Sequence, residues 1–209
     1  MPSNSPPPVY LPDNEPYLGN ERLHVFDLTI TRAMQVHTEV GRKTFKVFLS
    51  PLQAAAAQII PQGVSIVLSI RELIRQAYLY PAAVLIRPLV ERTGMIQFLA
   101  MNHEAVASWH AGWPRKSQPE FQDLMKLVLP KASAEEQELT RQVLHKLVHS
   151  DPKGAQFNMF VCPDGAPAFA SGKELDQPMK AGAISALACQ CLRQLTAISV
   201  ALLGREQQH

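Results

Sequence analysis

An uncharged segment near the middle of the chain limits the folds that are open to it. Residues 47–70 contain no charged side chain and lie between Lys46 and Arg71. A run of this length could span a bilayer as a helix. However, it contains Pro51, Pro61 and several glutamines and serines, and its first half is mostly alanine. We therefore expect a buried core helix and no membrane span.

Composition and charge restrict the class of protein further. The chain has 209 residues, of which 46% are hydrophobic, enough to bury a core. Six prolines among residues 1–18 predict a proline-rich extended arm, followed by a single helical domain over residues 19–209. A net charge of +2 is too small to predict nucleic-acid binding by itself. Three cysteines without a C-x-x-C pair indicate a reducing compartment, which predicts a cytoplasmic protein without a disulfide framework.

The hydrophobic pattern predicts an all-α fold. Apolar residues recur at three-to-four spacing through most of the chain, and Ser133 with Glu136 forms a capping-box signature. We expect a helical bundle of about four to five long helices with a short-helix insert. A Pro-Asp-Gly turn predicts a small β-hairpin near residues 156–170.

Two helices within residues 69–98 carry arginines inside an apolar pattern. Pro61 and Gly63 are expected to break or kink the helix before them, and Pro88 to kink the helix after residue 81. If the two helices form an antiparallel pair about residue 81, opposed residues have numbers that sum to about 162. Arg71 then faces Glu91 and Arg75 faces Arg87. This cluster would be either a structural ion-pair network or an anion site in which the excess arginines bind phosphate.

Two histidines mark the end of a later helix. His145 and His149 lie one turn apart, but Lys146 stands where a metalloprotease would need glutamate, which excludes that class. His110 or Cys162 could supply a third metal ligand, but nothing in the sequence fixes either one, so no metal or cofactor is expected. His149 at a helix C-terminus would be either a cap or a general acid/base directed at the arginine cluster. Asn158 would then orient a substrate or close a turn.

Trp109 and Trp113 flank Gly112 in the short-helix insert. They are expected to pack as a plug. The weaker alternative is a stacking platform for bases.

Four segments resemble an uncharacterised bacterial all-helical family that is distantly similar to the HEPN superfamily. They read SIRELIRQAYLY, LIRPLVERTGMIQFLA, ASWHAGWPRKSQPEFQDLMK and LHKLVHSDPKG, within roughly residues 55–160. The resemblance implies a helical fold of a kind found in toxin–antitoxin, abortive-infection and RNA-processing systems. Many such proteins are metal-independent RNases that act as dimers. The resemblance places any retained site at Arg87, Glu91 and His149.

The sequence favours a non-catalytic interaction or regulatory component of defence or toxin–antitoxin type, acting as a homodimer. The alternative is a metal-independent RNase or RNA-binding protein with His149 and Glu91 as catalytic residues. Its phosphate-binding residues would be Arg71, Arg75, Arg87 and Asn158. A small-molecule sensor with the tryptophans lining a cavity is a third hypothesis.

Overall fold

A computed structural model describes residues 15–114, 117–149, 151–162, 164–169 and 171–204. It is all-α, as the sequence predicts. The helices are α1 (Glu21–Thr44), α2 (Pro51–Arg75), α3 (Leu79–Val84), α4 (Ile86–Met101), α5 (Ala105–His110), α6 (Phe121–Val128), α7 (Ala134–Val148), α8 (Pro152–Ala155) and α9 (Pro178–Leu203). The expected four to five long helices undercount the helical elements slightly, because the short helices also pack into the core.

Polar caps fix where the main helices begin. The Asn20 side chain accepts hydrogen bonds from the first turn of α1. Ser50 and Gln53 form a capping box at α2, with Pro51 in the first turn. The predicted capping box of Ser133 and Glu136 opens α7. These side chains satisfy backbone N–H groups that have no partner inside the helix.

The last helix, α9, forms the centre of the bundle. It packs against α1, α2 and α4, whereas α1 and α2, although consecutive in sequence, barely contact one another. Leu192 and Leu195 of α9 are almost fully buried. A Cβ on Gly63 of α2 would lie only 2.6 Å from a methyl group of Leu195. Glycine at this position therefore lets α2 approach α9 closely.

The two helix interruptions predicted from sequence, at Pro61 with Gly63 and at Pro88, both need correction. Helix α2 runs from Pro51 to Arg75 without a break, with exposed Pro61 inside it. Of the two outcomes expected at Pro61 and Gly63, the break is therefore wrong and the kink stays a prediction. The segment after residue 78 is interrupted instead at Leu85, which caps both α3 and α4. Pro88 explains this break, because its ring clashes with the carbonyl of Val84 and it has no N–H to bond it.

The segment before α1 contacts the segment that precedes α9, and a small hairpin lies between α8 and α9. Residues 15–18, assigned to the arm from sequence, join the packed domain because Tyr17 is buried and its hydroxyl donates to the Glu174 carbonyl. Residues 1–14 lie outside the described residues. The hairpin is confirmed, with β1 (Met159–Val161) antiparallel to β2 (Pro167–Phe169) after a 3₁₀ turn over Gln156–Asn158.

Helices α2 and α9 are long and apolar enough to cross a membrane, by length and composition alone. Within this fold, 44% of the most apolar 18-residue stretch of α2 is buried, and 39% of the corresponding stretch of α9. Core helices of globular proteins pass the same test, so the absence of a membrane span remains a prediction.

The contact between α4 and α6 generates a stability prediction. A Cβ on Gly94 of α4 would lie 2.7 Å from the backbone oxygen of Leu124 in α6. Gly94→Ala should therefore force the helices apart and lower the free energy of unfolding in urea by about 1–3 kcal/mol. Gly41→Ala is the control. Gly41 lies in the exposed last turns of α1 with open space around it, so alanine there should stabilise by up to about 1 kcal/mol. A Gly94→Ala variant as stable as the parent would contradict this packing.

Candidate functional site

Arg71 does not face Glu91, and the sequence-based pairing is wrong here. Its guanidinium points from α2 to α1 and to the N-terminal segment. Nη2 lies 2.9 Å from Asp27 Oδ2 and 2.8 Å from Glu15 Oε1, and Nε donates to Asp27 Oδ1. Burial alone would lower the pKa of Arg71, but hydrogen bonds and charge from Asp27 and Glu15 outweigh burial and raise it. This arginine is paired with protein carboxylates inside the fold.

Arg75 does not lie beside Arg87 either. Its Nε and Nη2 donate to the two oxygens of Glu72, at 2.8 and 2.6 Å, within the last turn of α2. The hydrogen bond from Arg75 is the main cause that lowers the pKa of Glu72 to about 2. The pair is half-exposed, so it lies at the surface and contributes little to stability.

The predicted register fails because the connection between the helices is not a simple turn. Helix α2 ends at Arg75, Ala77 adopts a left-handed conformation with φ of 64°, and α3 follows as a separate helix before the break at Leu85. This extra helix changes which faces of α2 and α4 meet. Arg71 is directed at α1 as a result, while Arg87 faces α6 and α7.

Arg87 forms the part of the predicted site that does assemble. Its Nε donates to Glu91 Oε1, one turn later on α4, at 3.2 Å. Its Cζ lies 4.7 Å from the centre of the Phe121 ring of α6, a cation–π contact. Its Nη1 lies 3.3 Å from Nδ1 of His145 on α7. Three helices therefore converge on one guanidinium, and we call this group, Arg87, Glu91, Phe121, His145 and His149, the arginine–histidine corner.

The contact with Arg87 fixes the tautomer of His145. A guanidinium can only donate hydrogen bonds, so Nδ1 must accept and the proton of the neutral ring lies on Nε2. Desolvation lowers the pKa of His145, and the neighbouring His149, Arg87 and Arg141 lower it further against the opposing effect of Asp151. The neutral ring is therefore the form compatible with the corner.

His149 lies where the sequence places it, at the C-terminal cap of α7. The ring centre of His149 is 4.2 Å from that of His145, and His145 in turn contacts Arg87. His149 is therefore linked to Arg87 by way of His145. Asn158 lies in the 3₁₀ turn after α8, and its Oδ1 is buried without a hydrogen-bond partner among the described residues. The structure thus groups Arg87, Glu91 and His149, and leaves Arg71 and Arg75 in separate ion pairs.

Trp109 and Trp113 lie with Glu91 in the wall of a small cavity. Trp109 and Trp113 line a cavity of about 310 Å³ together with Phe121, and Glu91 and Arg92 lie at its edge. The volume is at the small end of the range for ligand sites, about 300–1,000 Å³. Trp113 also packs against Phe98, with ring centres 6.4 Å apart. The two side chains therefore combine the expected packing role with the lining of a small cavity.

Two larger cavities lie away from these residues. One, of about 680 Å³, lies between the first turn of α1, the α6–α7 connection and α9. Another, of about 420 Å³, lies between the diverging helices α1 and α2 and is mainly apolar. None of the site residues predicted from sequence lines either one. In the described part of the chain, no group of three or more His, Cys, Asp or Glu side chains is arranged to hold a metal ion.

Sequence reasoning missed the carboxylates that pair with Arg71. Asp27 was recognisable, because it falls on the helical stripe of α1 between the buried Leu23 and the half-buried Ile30, where an acid needs a partner. Glu15 carried no such signal, because it precedes the first helix. Phe121 looked like an ordinary core residue, and its stacking on Arg87 depends on how α4 and α6 pack.

Comparison with known proteins gives no relative for this chain: no protein-family model, no curated protein and no solved structure matches it.

The corner generates a prediction about the titration of His145. In NMR spectra of the folded chain, His145 should titrate below 6.5, its ordinary pKa. Arg87→Gln should raise that pKa, because it removes a nearby positive charge, whereas Arg193→Gln on the exposed face of α9 should not. Because the folded-state pKa lies below that of the unfolded chain, His145 also disfavours the folded state once the pH falls below about 6.5. A His145 pKa at or above 6.5, or one unchanged by Arg87→Gln, would contradict the geometry.

Proposed function

We propose that this protein is a non-catalytic helical interaction or regulatory component, HEPN-like in its helical organisation and of defence or toxin–antitoxin type. The observation that carries the proposal is the pairing of the three central arginines. Arg71 is bound by Asp27 and Glu15, Arg75 by Glu72 and Arg87 by Glu91. Buried or half-buried arginines whose charges are matched by protein carboxylates serve the fold more readily than an anionic ligand.

The spacing of Arg141 also favours a non-catalytic role. The HEPN signature places four to six residues between its arginine and histidine. Here three residues separate Arg141 from His145, and seven separate it from His149. The Arg141 guanidinium is moreover paired with Glu138, with both contacts at 2.7 Å. No nuclease role is therefore assigned to Arg141.

The proposed protein is cytoplasmic and acts as a homodimer. Its three cysteines are free thiols, which is compatible with a reducing compartment. The outer face of α1 exposes Val25 and Leu28, one turn apart, at 38% and 45% of their full surface. An apolar stripe of this kind could pair with the same stripe of a second copy, since two-fold contacts use one surface twice.

A metal-independent RNase or RNA-binding protein is the second candidate, and the arginine–histidine corner favours it. There an arginine, two imidazoles in contact with each other and the carboxylate of Glu91 lie together at the surface. His149 would act as general acid/base, Arg87 would bind a phosphate, and Glu91 would have to exchange its bond to Arg87 for one to the substrate.

Incubation of the purified chain with mixed RNA in a metal chelator separates the two candidates. The non-catalytic proposal predicts intact RNA with the parent and with His149→Ala alike, because the arginines are already neutralised. His24→Ala is the control for an exposed histidine on another helix. Cleavage by the parent and by His24→Ala but not by His149→Ala would overturn the proposal in favour of the RNase. Saturable RNA binding without cleavage, lost in Arg87→Gln, would establish the RNA-binding form of the second candidate.

A further inference from the structure

The turn between α1 and α2 exposes a short run of large apolar side chains. Phe45 retains 70% of its surface, Val47 41% and Phe48 88%. Scattered single apolar residues are normal on protein surfaces, but three within four positions, two of them aromatic, form a patch that needs an apolar environment. The patch lies outside the arginine–histidine corner and is not explained by the proposed function.

Positive charge surrounds this patch. Arg42 and Lys43 precede Phe45, Lys46 follows it, and no acidic residue occurs between Glu39 and Glu72 in the sequence. Arg42 also lies 3.8 Å from Glu39, one turn earlier on α1. The ammonium group of Lys46 lies 5.2 Å from the centre of the Phe45 ring. Lys46 also adopts a left-handed backbone conformation with φ of 58°, which is costly for a residue with a side chain. The α1–α2 turn therefore presents aromatic rings and cationic groups side by side.

Contacts with neighbouring helices place the α1–α2 turn at the end of the bundle where α9 finishes. Gln53 in the first turn of α2 donates to the Leu202 carbonyl at the end of α9, at 2.9 Å. The His110 ring at the end of α5 donates to the Pro51 carbonyl at 3.0 Å. Val200 of α9 and Met101 of α4, at 47% and 70% exposure, lie at the ends of helices that finish at this same end. Exposed apolar side chains of α4 and α9 therefore lie near the same end of the bundle as the turn.

We propose that the α1–α2 turn docks this protein on the surface of a bilayer that contains anionic lipid. Phe45 and Phe48 would enter the boundary between headgroups and acyl chains, and Arg42, Lys43 and Lys46 would bind the anionic headgroups. The charge of the patch decides for this occupant, because cationic groups beside aromatic rings complement both the anionic headgroups and the apolar interior of such a surface. The bundle itself stays outside the bilayer in this arrangement.

Co-sedimentation with lipid vesicles tests the proposal on the full chain. The parent should bind phosphatidylcholine vesicles that contain roughly 30–40% phosphatidylglycerol, and it should bind pure phosphatidylcholine vesicles far less. Binding to the anionic vesicles should weaken as the salt concentration is raised. Phe45→Ser combined with Phe48→Ser should reduce the partition coefficient about tenfold or more. The matched control is Phe169→Ser with Met179→Ser at the opposite end, where exposures of 68% and 86% parallel those of the turn.

A second pair of double variants tests whether vesicle binding depends on the positive charge of the α1–α2 turn. Lys43→Glu with Lys46→Glu should abolish binding to the anionic vesicles, whereas Lys131→Glu with Arg193→Glu, the same change in net charge at exposed positions elsewhere, should leave most of it. Absent binding by the parent, or equal loss in the turn variants and their controls, would overturn the proposal. So would a dimer in light scattering that the Phe45 and Phe48 substitutions dissolve, because the patch would then be an interface between copies.

Discussion

The ion pair of Arg71 with Asp27 and Glu15 is the contact on which the arrangement of the first two helices depends. Helices α1 and α2 follow one another in the chain, but α1 packs mainly against α9 and α2 packs against α9 and α4, so the two helices have few direct contacts. Arg71 makes that connection, and through Glu15 it also holds the segment that precedes α1. The Arg71 side chain is only 16% exposed, so loss of its partners would leave a charge in a poorly hydrated position.

This pairing also decides how the remaining charges can be used. With Arg71 and Arg75 matched by acids, the positive charge of the central helices is not available as one large anion site. Of the site residues predicted from sequence, Arg87, Glu91 and His149 lie in the corner, where desolvation, reinforced by His149, Arg87 and Arg141, lowers the pKa of His145. A further group of basic residues lies at the α1–α2 turn, where Lys43 and Lys46 accompany exposed aromatic rings and Arg42 is paired with Glu39.

Much of the fold was predictable from the sequence, because it depends on local signals. Helix periodicity, the Ser133 capping box and the turn in the hairpin each act within a few residues, and each is found in the structure. The ion pairs were predicted less well, because they depend on which helix faces which. An assumed simple turn put Arg71 opposite Glu91, whereas the separate helix α3 and the central position of α9 turned Arg71 toward α1. The pairs of Arg75 with Glu72 and of Arg87 with Glu91 each lie one turn apart on a single helix, so their spacing was visible in the sequence, although Glu91 was assigned to Arg71.

The account rests on Arg71 being a structural residue, and a double-mutant cycle between Arg71→Ala and Asp27→Ala tests this most directly. Urea unfolding should give a coupling free energy of about 1–2 kcal/mol, between the values for exposed and buried pairs. The exposed pair of Arg42 and Glu39, 3.8 Å apart, is the reference and should show almost no coupling. A coupling within about 0.3 kcal/mol of zero for Arg71 and Asp27 would contradict the account, because the arginine would then be free for a ligand.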